Sequence, residues 1–173
     1  MRDQKKRIVI APDSFKGTMT AIEVCRIIRK AFLQVDSALE ICCLPMADGG
    51  EGTVDAFLSA LGGERKTVRV HGPLFAMHNA SFGILKDGTA ILEMAAAAGL
   101  PLAGKDANPM YTTTFGVGEL IRAALDAGCR KIRVGAGGSA TTDGGIGCLT
   151  ALGARFTDKT GEEVPVSYTH LTL

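Results

Sequence analysis

Tryptophan is absent from this chain of 173 residues, and only two tyrosines are present. Aromatic side chains form the platforms on which unpaired bases stack, so their scarcity argues against a protein that binds single-stranded nucleic acid. The formal net charge is +1, which gives no broad electrostatic attraction to nucleic acid or to an anionic membrane surface. We therefore expect no nucleic-acid partner.

Long apolar runs are missing too. No stretch approaches the roughly 20 apolar residues that a membrane-spanning helix needs. The basic start, with Arg2, Lys5 and Lys6, is followed by only a short apolar segment before Pro12, so it lacks the apolar region of a secretory signal. We expect a cytoplasmic protein with no membrane partner, and the sequence indicates no oligomeric state.

Patterns of metal-binding or disulfide-bonded cysteines are also lacking. The five cysteines include no Cys-x-x-Cys pair and show no regular spacing with the three histidines, although zinc sites and disulfide frameworks have such spacing. We interpret the cysteines as buried free thiols, and His71 and His78 as structural or solvated residues. Glycine, in contrast, is abundant, with 22 residues and two short clusters.

Segments with strand and helix patterns alternate along much of the chain. Apolar and β-branched runs predict strands at 6–11, 39–44 and 131–134, and three further extended segments at 67–70, 78–85 and 89–94. Helical spacing or composition predicts helices after Thr20 and at 53–61, 95–98, 116–127 and 148–152. Because strands alternating with helices usually build parallel sheets, the fold class is α/β. A change of pattern near Gly72-Pro73 predicts two α/β subdomains.

Three loops that directly follow predicted strands carry polar side chains among small residues. The first loop, residues 13–18, contains Asp13, Ser14 and Lys16. A lysine beside hydroxyls just before a helix can bind phosphate or carboxylate oxygens, helped by free backbone N–H groups. An ordinary helix entry with a solvated lysine is the alternative.

The second loop, residues 48–53, begins Asp48-Gly49-Gly50-Glu51. Two carboxylates spaced by glycines can coordinate Mg²⁺ or accept the proton of a substrate hydroxyl, and the glycines allow the backbone to lie against a ligand. In the alternative interpretation, Asp-Gly-Gly is a simple turn and Glu51 complements the dipole of the next helix.

The third loop, residues 135–145, combines glycines with three hydroxyl side chains, and its N–H groups can form an anion-binding nest. A glycine-rich turn that binds no ligand is the alternative.

The third loop also matches G-x-G-x-x-A, with Asp158 near the place of a ribose-binding acid, so a nicotinamide oxidoreductase must be weighed. Against it, glycines continue through Gly144-Gly145, where a dinucleotide fold needs its first helical turns. A Walker A motif is absent.

Five segments in this order resemble the type I glycerate kinase family: IAPDSFKGTMTA, PMADGGEGT, EMAAAAGLPL, TTTFGVGELI and GAGGSATTDGGIG. The resemblance extends roughly from Ile8 to Asp158. It implies ATP-dependent phosphorylation of D-glycerate, most often at the 2-hydroxyl to give 2-phosphoglycerate, with ATP and Mg²⁺ as cofactors.

The resemblance also implies a domain organisation. Residues 1–72 would form a first α/β domain that C-terminal segments of the family normally complete, and residues 73–165 would begin an inserted flavodoxin-like α/β domain. We expect both to be incomplete in this chain. Residues 166–173 depart from the family's usual continuation, so we expect this tail to be non-native.

Residue types and their places after strands suggest roles within such a kinase. Lys16, Asp48 and Asp143 are the catalytic candidates, and Asp48 and Glu51 are the candidate metal ligands. The candidates for binding substrate or phosphate are Asp13, Ser14, Lys16, Gly49, Gly50, Gly137, Gly138, Ser139, Thr141 and Thr142. Two other functions stay open, an inactive fragment or small-ligand binding module and, less favoured by the residues, a nicotinamide-dependent oxidoreductase.

Overall fold

The computed structural model describes residues 6–163, whose strands form a two-stranded and a four-stranded β-sheet. The smaller sheet pairs β1 (Arg7–Ile10) with β2 (Glu40–Cys43) in parallel, and α1 (Ala21–Val35) connects them. A capping box starts this helix, as the spacing of Thr20 and Glu23 predicts: Thr20 Oγ1 accepts from Glu23 N at 3.2 Å, and Glu23 Oε2 accepts from Thr20 N at 2.8 Å.

The larger sheet has the strand order β3-β4-β5-β6. Its strands are β3 (Gly63–His71), β4 (Met77–Leu85), β5 (Thr89–Glu93) and β6 (Lys131–Gly135). The accompanying helices are α2 (Thr53–Leu61), α3 (Ala95–Ala98), α4 (Leu100–Ala103), a 3₁₀ turn (Gly104–Asp106), α5 (Phe115–Asp126) and α6 (Ile146–Ala151). Strands β3, β4 and β5 pair antiparallel, whereas β5 and β6 pair in parallel.

The α/β class and most predicted elements are confirmed. Asp87-Gly88, a sequence typical of a hairpin turn, connects β4 and β5 with Gly88 at φ 79°, and α2 has the predicted bounds. The three extended segments that the sequence predicts without helices between them are β3, β4 and β5; they pair antiparallel, and β3 and β4 form a long hairpin. The prediction of β3 as residues 67–70 is too short because its first half, with Glu64, Arg65 and Lys66, is an exposed edge without an apolar pattern.

Helices pack against both faces of the larger sheet. On one face Val70, Phe82 and Leu92 pack with α3 and α5, where Leu120 is fully buried. On the other face Leu85 and Ile91 pack against Val54 of α2. Each large apolar side chain buried in this way stabilises the fold by about 2 kcal/mol. The second loop is therefore anchored to the larger sheet through α2.

The division at 72/73 stays a prediction, and strand pairing extends across it. β3 lies before this point and pairs along its whole length with β4, which lies after it. The predicted non-native tail at 166–173 lies outside the described residues. Within 6–163, no helix combines the length and the apolar character needed to cross a membrane.

All five cysteines are free thiols. Cys25 and Cys129 are buried as predicted, and burial raises the pKa of the Cys25 thiol. The prediction of burial is wrong for Cys42, which is exposed on β2 because only one face of the two-stranded sheet packs against α1. Cys43 and Cys148 are half-buried.

Candidate active site

A cleft of about 480 Å³ lies where the first two loops meet. The two loops follow β1 and β2, and the carboxyl ends of neighbouring parallel strands lie at the same edge of a sheet. Each loop leads into a helix, so α1 and α2 both begin at the cleft. Its walls include residues from the first loop, the start of α1, Pro45-Met46 and the start of α2: Ser14, Lys16, Thr20, Glu23, Arg26, Glu51, Gly52 and Asp55.

The first loop presents Lys16 to this cleft. The side chain is exposed, and no carboxylate of the described residues lies within ion-pair distance of its amine. Ser14 also lines the cleft, whereas Asp13 Oδ1 turns back to accept from Ser14 N at 2.6 Å. The geometry thus makes Lys16 and Ser14 available to an anionic ligand and gives Asp13 a local role in shaping the loop.

The second loop contributes Glu51 to the cleft, but Asp48 is not among the lining residues. Asp48 is exposed, and its Oδ1 accepts from Gly50 N at 3.0 Å. Within residues 6–163 no three histidine, cysteine or carboxylate side chains come together as a metal site. Mg²⁺ commonly takes only one or two carboxylates and completes its shell with water and substrate phosphates, so this donor set is compatible with it.

Sequence reasoning missed Arg26 and Asp55 in the cleft wall. Both lie on helices, where a charged side chain ordinarily indicates only that the position is exposed to solvent. Arg26 follows Glu23 by three residues, and residues three apart share one helical face. Helical spacing from the capping box was the signal that could have placed Arg26 beside the first loop.

The second and third loops pack backbone against backbone. Gly137 N donates to Gly49 O at 3.0 Å. A Cβ built on Gly135 would lie 2.4 Å from Gly49 O, and one on Gly137 would lie 2.7 Å from Gly50 N. These glycines are therefore required by loop packing, a reason that the sequence alone did not supply. None of the third-loop residues lines the cleft.

The hydroxyl side chains of the third loop bond within the protein. Ser139 and Thr141 are linked through their hydroxyls at 2.8 Å, and Thr142 Oγ1 donates to Pro109 O at 3.2 Å. Gly138 adopts φ 72°, which favours glycine. The loop is held on its other side by backbone hydrogen bonds to the α3 region, including Leu100 N to Gly138 O at 3.1 Å.

Asp143 points into the protein interior and is only 2% exposed. Its Oδ2 accepts from Thr113 Oγ1, Thr114 N, Thr114 Oγ1 and Gly147 N, at 2.8–3.3 Å, and its Oδ1 accepts from Gly145 N at 3.0 Å. The carboxylate thereby ties the start of α5 to the start of α6. This position does not bring Asp143 together with Lys16 or Glu51 in the cleft.

Glu93 is a second interior carboxylate, and sequence reasoning did not single it out. It ends β5 and accepts a hydrogen bond from Val54 N at 2.6 Å. Burial raises the pKa of Glu93 despite the opposing effect of that hydrogen bond. The sequence signal that could have identified Glu93 was a single acidic residue at the end of the otherwise uncharged strand TAILE.

Both histidines make contacts within the protein, which agrees with the structural alternative of the prediction. His71 Nδ1 lies 2.9 Å from Glu119 Oε1, and the His71 ring packs edge-on against Phe75 and Phe115. His78 Nε2 lies 2.9 Å from Ala96 O.

The dinucleotide interpretation finds no support in the third loop. Helix α6 begins at Ile146, six residues after Ala140, the last position of the G-x-G-x-x-A match. A dinucleotide fold places the helix N-terminus at that last position, beside the pyrophosphate. Asp158 lies in an exposed turn, where its side chain accepts from Thr160 N and Glu162 N.

Comparisons with known proteins agree with the segments noted in the sequence. The model of the glycerate kinase family matches residues 8–172. The chain is 49% identical over 160 residues to "Glycerate kinase" of Bacillus subtilis (strain 168), covering 91% of this chain and 42% of that protein. It is 48% identical over 160 residues to "Glycerate 2-kinase" of Escherichia coli (strain K12), with the same two coverages.

A solved structure is similar as well. The crystal structure of a Salmonella typhimurium LT2 protein described as a glycerate kinase 2 superposes with a TM-score of 0.81 at 45% identity. The match covers 94% of this chain and 44% of that chain. The chain thus spans about two fifths of the length of the curated relatives and of the structure that it matches.

Proposed function

Because this chain belongs to the glycerate kinase family, we propose that its protein phosphorylates D-glycerate with ATP and that the cleft between the first two loops forms part of the active site. One observation carries the proposal: the cleft brings Lys16 and Ser14 of the first loop together with Glu51 of the second, at the starts of two helices. Cations and helix N-termini are suited to anionic phosphate and carboxylate groups.

In the proposed reaction the bond between the γ-phosphorus and its bridging oxygen breaks, and the glycerate hydroxyl oxygen forms the new bond to phosphorus. ADP leaves, and the hydroxyl proton passes to a base. Enzymes of this class work mainly by positioning the reactants and stabilising charge. We assign charge stabilisation to Lys16, and we assign proton acceptance to a carboxylate of the second loop, with Asp48 as the candidate.

Glu51 is the residue that would hold Mg²⁺, and Asp48 would be a second ligand only in an arrangement in which it does not take the proton. Bound there with ATP, Mg²⁺ would supply positive charge that offsets the negative charge of the phosphate oxygens. Both side chains are carboxylates and both are exposed. Asp13 is the other predicted site residue with these two properties.

We assign Asp143 a positioning role in place of direct contact with the substrate. All of its hydrogen bonds connect parts of the protein, and it is 2% exposed. Gly137, Gly138, Ser139, Thr141 and Thr142 would support the cleft through the contact of the third loop with Gly49 and Gly50. Their binding of an anion stays a prediction, as does a cytoplasmic location.

The test is a phosphorus NMR assay of the 173-residue chain, and of a full-length relative, with ATP, Mg²⁺ and D-glycerate. The resonances distinguish 2-phosphoglycerate, which we expect, from 3-phosphoglycerate. Lys16→Ala should lower kcat/KM by about 10²-fold, because one charge-stabilising donor is lost. Lys30→Ala is the matched control, since Lys30 is an exposed lysine of α1 outside the cleft lining.

Three outcomes would contradict the proposal. If Lys16→Ala forms phosphoglycerate as fast as the wild type, the cleft is not part of the active site. Protection against thermal unfolding by ATP and glycerate without ADP release, in both proteins, would favour a small-ligand binding module. Protection by NAD alone would favour the oxidoreductase.

A further inference from the structure

Glu93 is a buried carboxylate that the proposed chemistry does not use. It is the last residue of β5, the residue is 9% exposed, and it lies on the sheet face that α2 covers. Its Oε1 accepts a 2.6 Å hydrogen bond from Val54 N, 39 residues away in the sequence. Because burying a charged group is unfavourable, a carboxylate retained here needs this kind of compensation.

The hydrogen bond replaces a helix cap that the sequence does not provide locally. α2 begins after Gly52, which has no side chain to accept from the first N–H groups of the helix. Those groups need acceptors, and a carboxylate beside them also interacts favourably with the helix dipole. Glu93 supplies the missing acceptor from β5.

The start of α2 is continuous with the second loop, so this contact bears on the cleft. Glu51 and Gly52 line the cleft, and Thr53 Oγ1 donates to Gly50 O at 2.8 Å. Met94, the residue after Glu93, donates its N–H to Gly135 O at 2.8 Å. The strand end that carries Glu93 therefore contacts the start of α2 through its side chain and the third loop through its backbone.

We infer that Glu93 is a positioning residue that fixes the start of α2, and with it the second loop, in the geometry of the cleft. The effect of Glu93 on catalysis rests on the proposed function. Its effect on the position of the second loop does not. The charged side chains whose fields reach Glu93 are Glu51 of the second loop, Asp55 of α2 and Arg65 of β3.

The test compares three variants of the full chain by amide hydrogen exchange. Glu93→Ala removes the acceptor, and Glu93→Gln keeps an acceptor oxygen of similar reach. Asp87→Ala is the matched control, because Asp87 also accepts a backbone N–H, that of Thr89 at 2.9 Å, but at the opposite end of β5. Glu93→Ala should accelerate exchange over residues 50–56 by about tenfold or more, while Glu93→Gln and Asp87→Ala should leave those rates within about threefold.

Unchanged exchange at Val54 in Glu93→Ala would overturn the inference, and so would equal acceleration by Asp87→Ala. If Glu93→Ala does not fold, a comparison of the wild type with Glu93→Gln tests the contact between Glu93 and Val54. The Val54 amide proton resonance should move with pH in the wild type as Glu93 titrates, and should lose that movement in Glu93→Gln. A Val54 resonance that is constant with pH in the wild type would refute the contact.

Turnover measurements test the catalytic part. Glu93→Ala should lower kcat for D-glycerate phosphorylation by about tenfold or more, because a displaced loop misplaces its carboxylates, and Glu93→Gln should restore kcat. An active wild type with unchanged kcat in Glu93→Ala would overturn the positioning role. If the 173-residue wild type and the full-length relative both lack activity, the proposed function alone is refuted, since the exchange experiment still decides the position of the loop.

Discussion

Replacement of Asp143 by alanine should cost the fold about 4 kcal/mol. The change removes a buried carboxylate that accepts five hydrogen bonds and leaves the Thr114 and Gly147 N–H groups without their acceptor. Each unsatisfied buried donor costs about 1–3 kcal/mol, and losses above about 5 kcal/mol are exceptional for one substitution. Asp143→Asn should cost about half as much, since one oxygen can still accept from the Thr114 side.

Urea unfolding followed by circular dichroism measures this loss as a change in midpoint at constant slope. Asp158→Ala is the matched control. Asp158 accepts from Thr160 N, Thr160 Oγ1 and Glu162 N, but it lies in an exposed turn where water can replace the lost acceptor. We expect its midpoint to stay close to that of the wild type.

A loss of less than about 1 kcal/mol for Asp143→Ala would refute the reasoning, because no buried donor could then be unsatisfied. An effect of Asp158→Ala as large as that of Asp143→Ala would refute it as well, because burial would not be the cause.

Three further predictions concern the pH dependence of stability, loop packing and helix capping. Burial raises the pKa of Glu93, so the folded protein holds this proton more tightly than the unfolded chain, and stability falls as pH rises through the raised pKa. The stability of Glu93→Gln relative to the wild type, measured by urea unfolding, should therefore increase as pH rises above about 4, and a constant difference would contradict this. Gly116→Ala should cost about 3 kcal/mol in the same assay, since the new Cβ would lie 1.8 Å from His71 O; an unchanged midpoint would show that the helix can move away. Thr20→Ala should cost about 1 kcal/mol in thermal unfolding through loss of the cap of α1, whereas Thr20→Ser should not; equal melting of all three proteins would contradict the capping role.

Elements with local signals could be predicted from the sequence. The capping box of α1 joins residues three apart, and α2 begins and ends beside Gly52 and Gly62, so short-range chemistry specifies both. The edge strand β3 had no such signal over its charged first half, because its partner β4 and not its own pattern makes it a strand. Helix α4 is a single turn of four residues, too short for periodicity to show.

The site could be predicted in part for the same reason. Lys16 and Glu51 lie in the loops after two neighbouring parallel strands, whose carboxyl ends lie at the same edge of the sheet, so their proximity follows from the order of elements. The burial of Asp143 depends on Thr113 and Thr114, about 30 residues away, and the role of Glu93 depends on Val54, 39 residues away. Contacts of this range arise only when the chain is folded.

The most direct test of the cleft is an amide-resonance titration of the 173-residue chain with D-glycerate and Mg²⁺-ATP. If the first two loops form the substrate site, the largest shifts should occur in residues 13–18 and 48–53, and Lys16→Ala should weaken them while Lys30→Ala should not. Saturation by either ligand without shifts in these two loops would contradict the account.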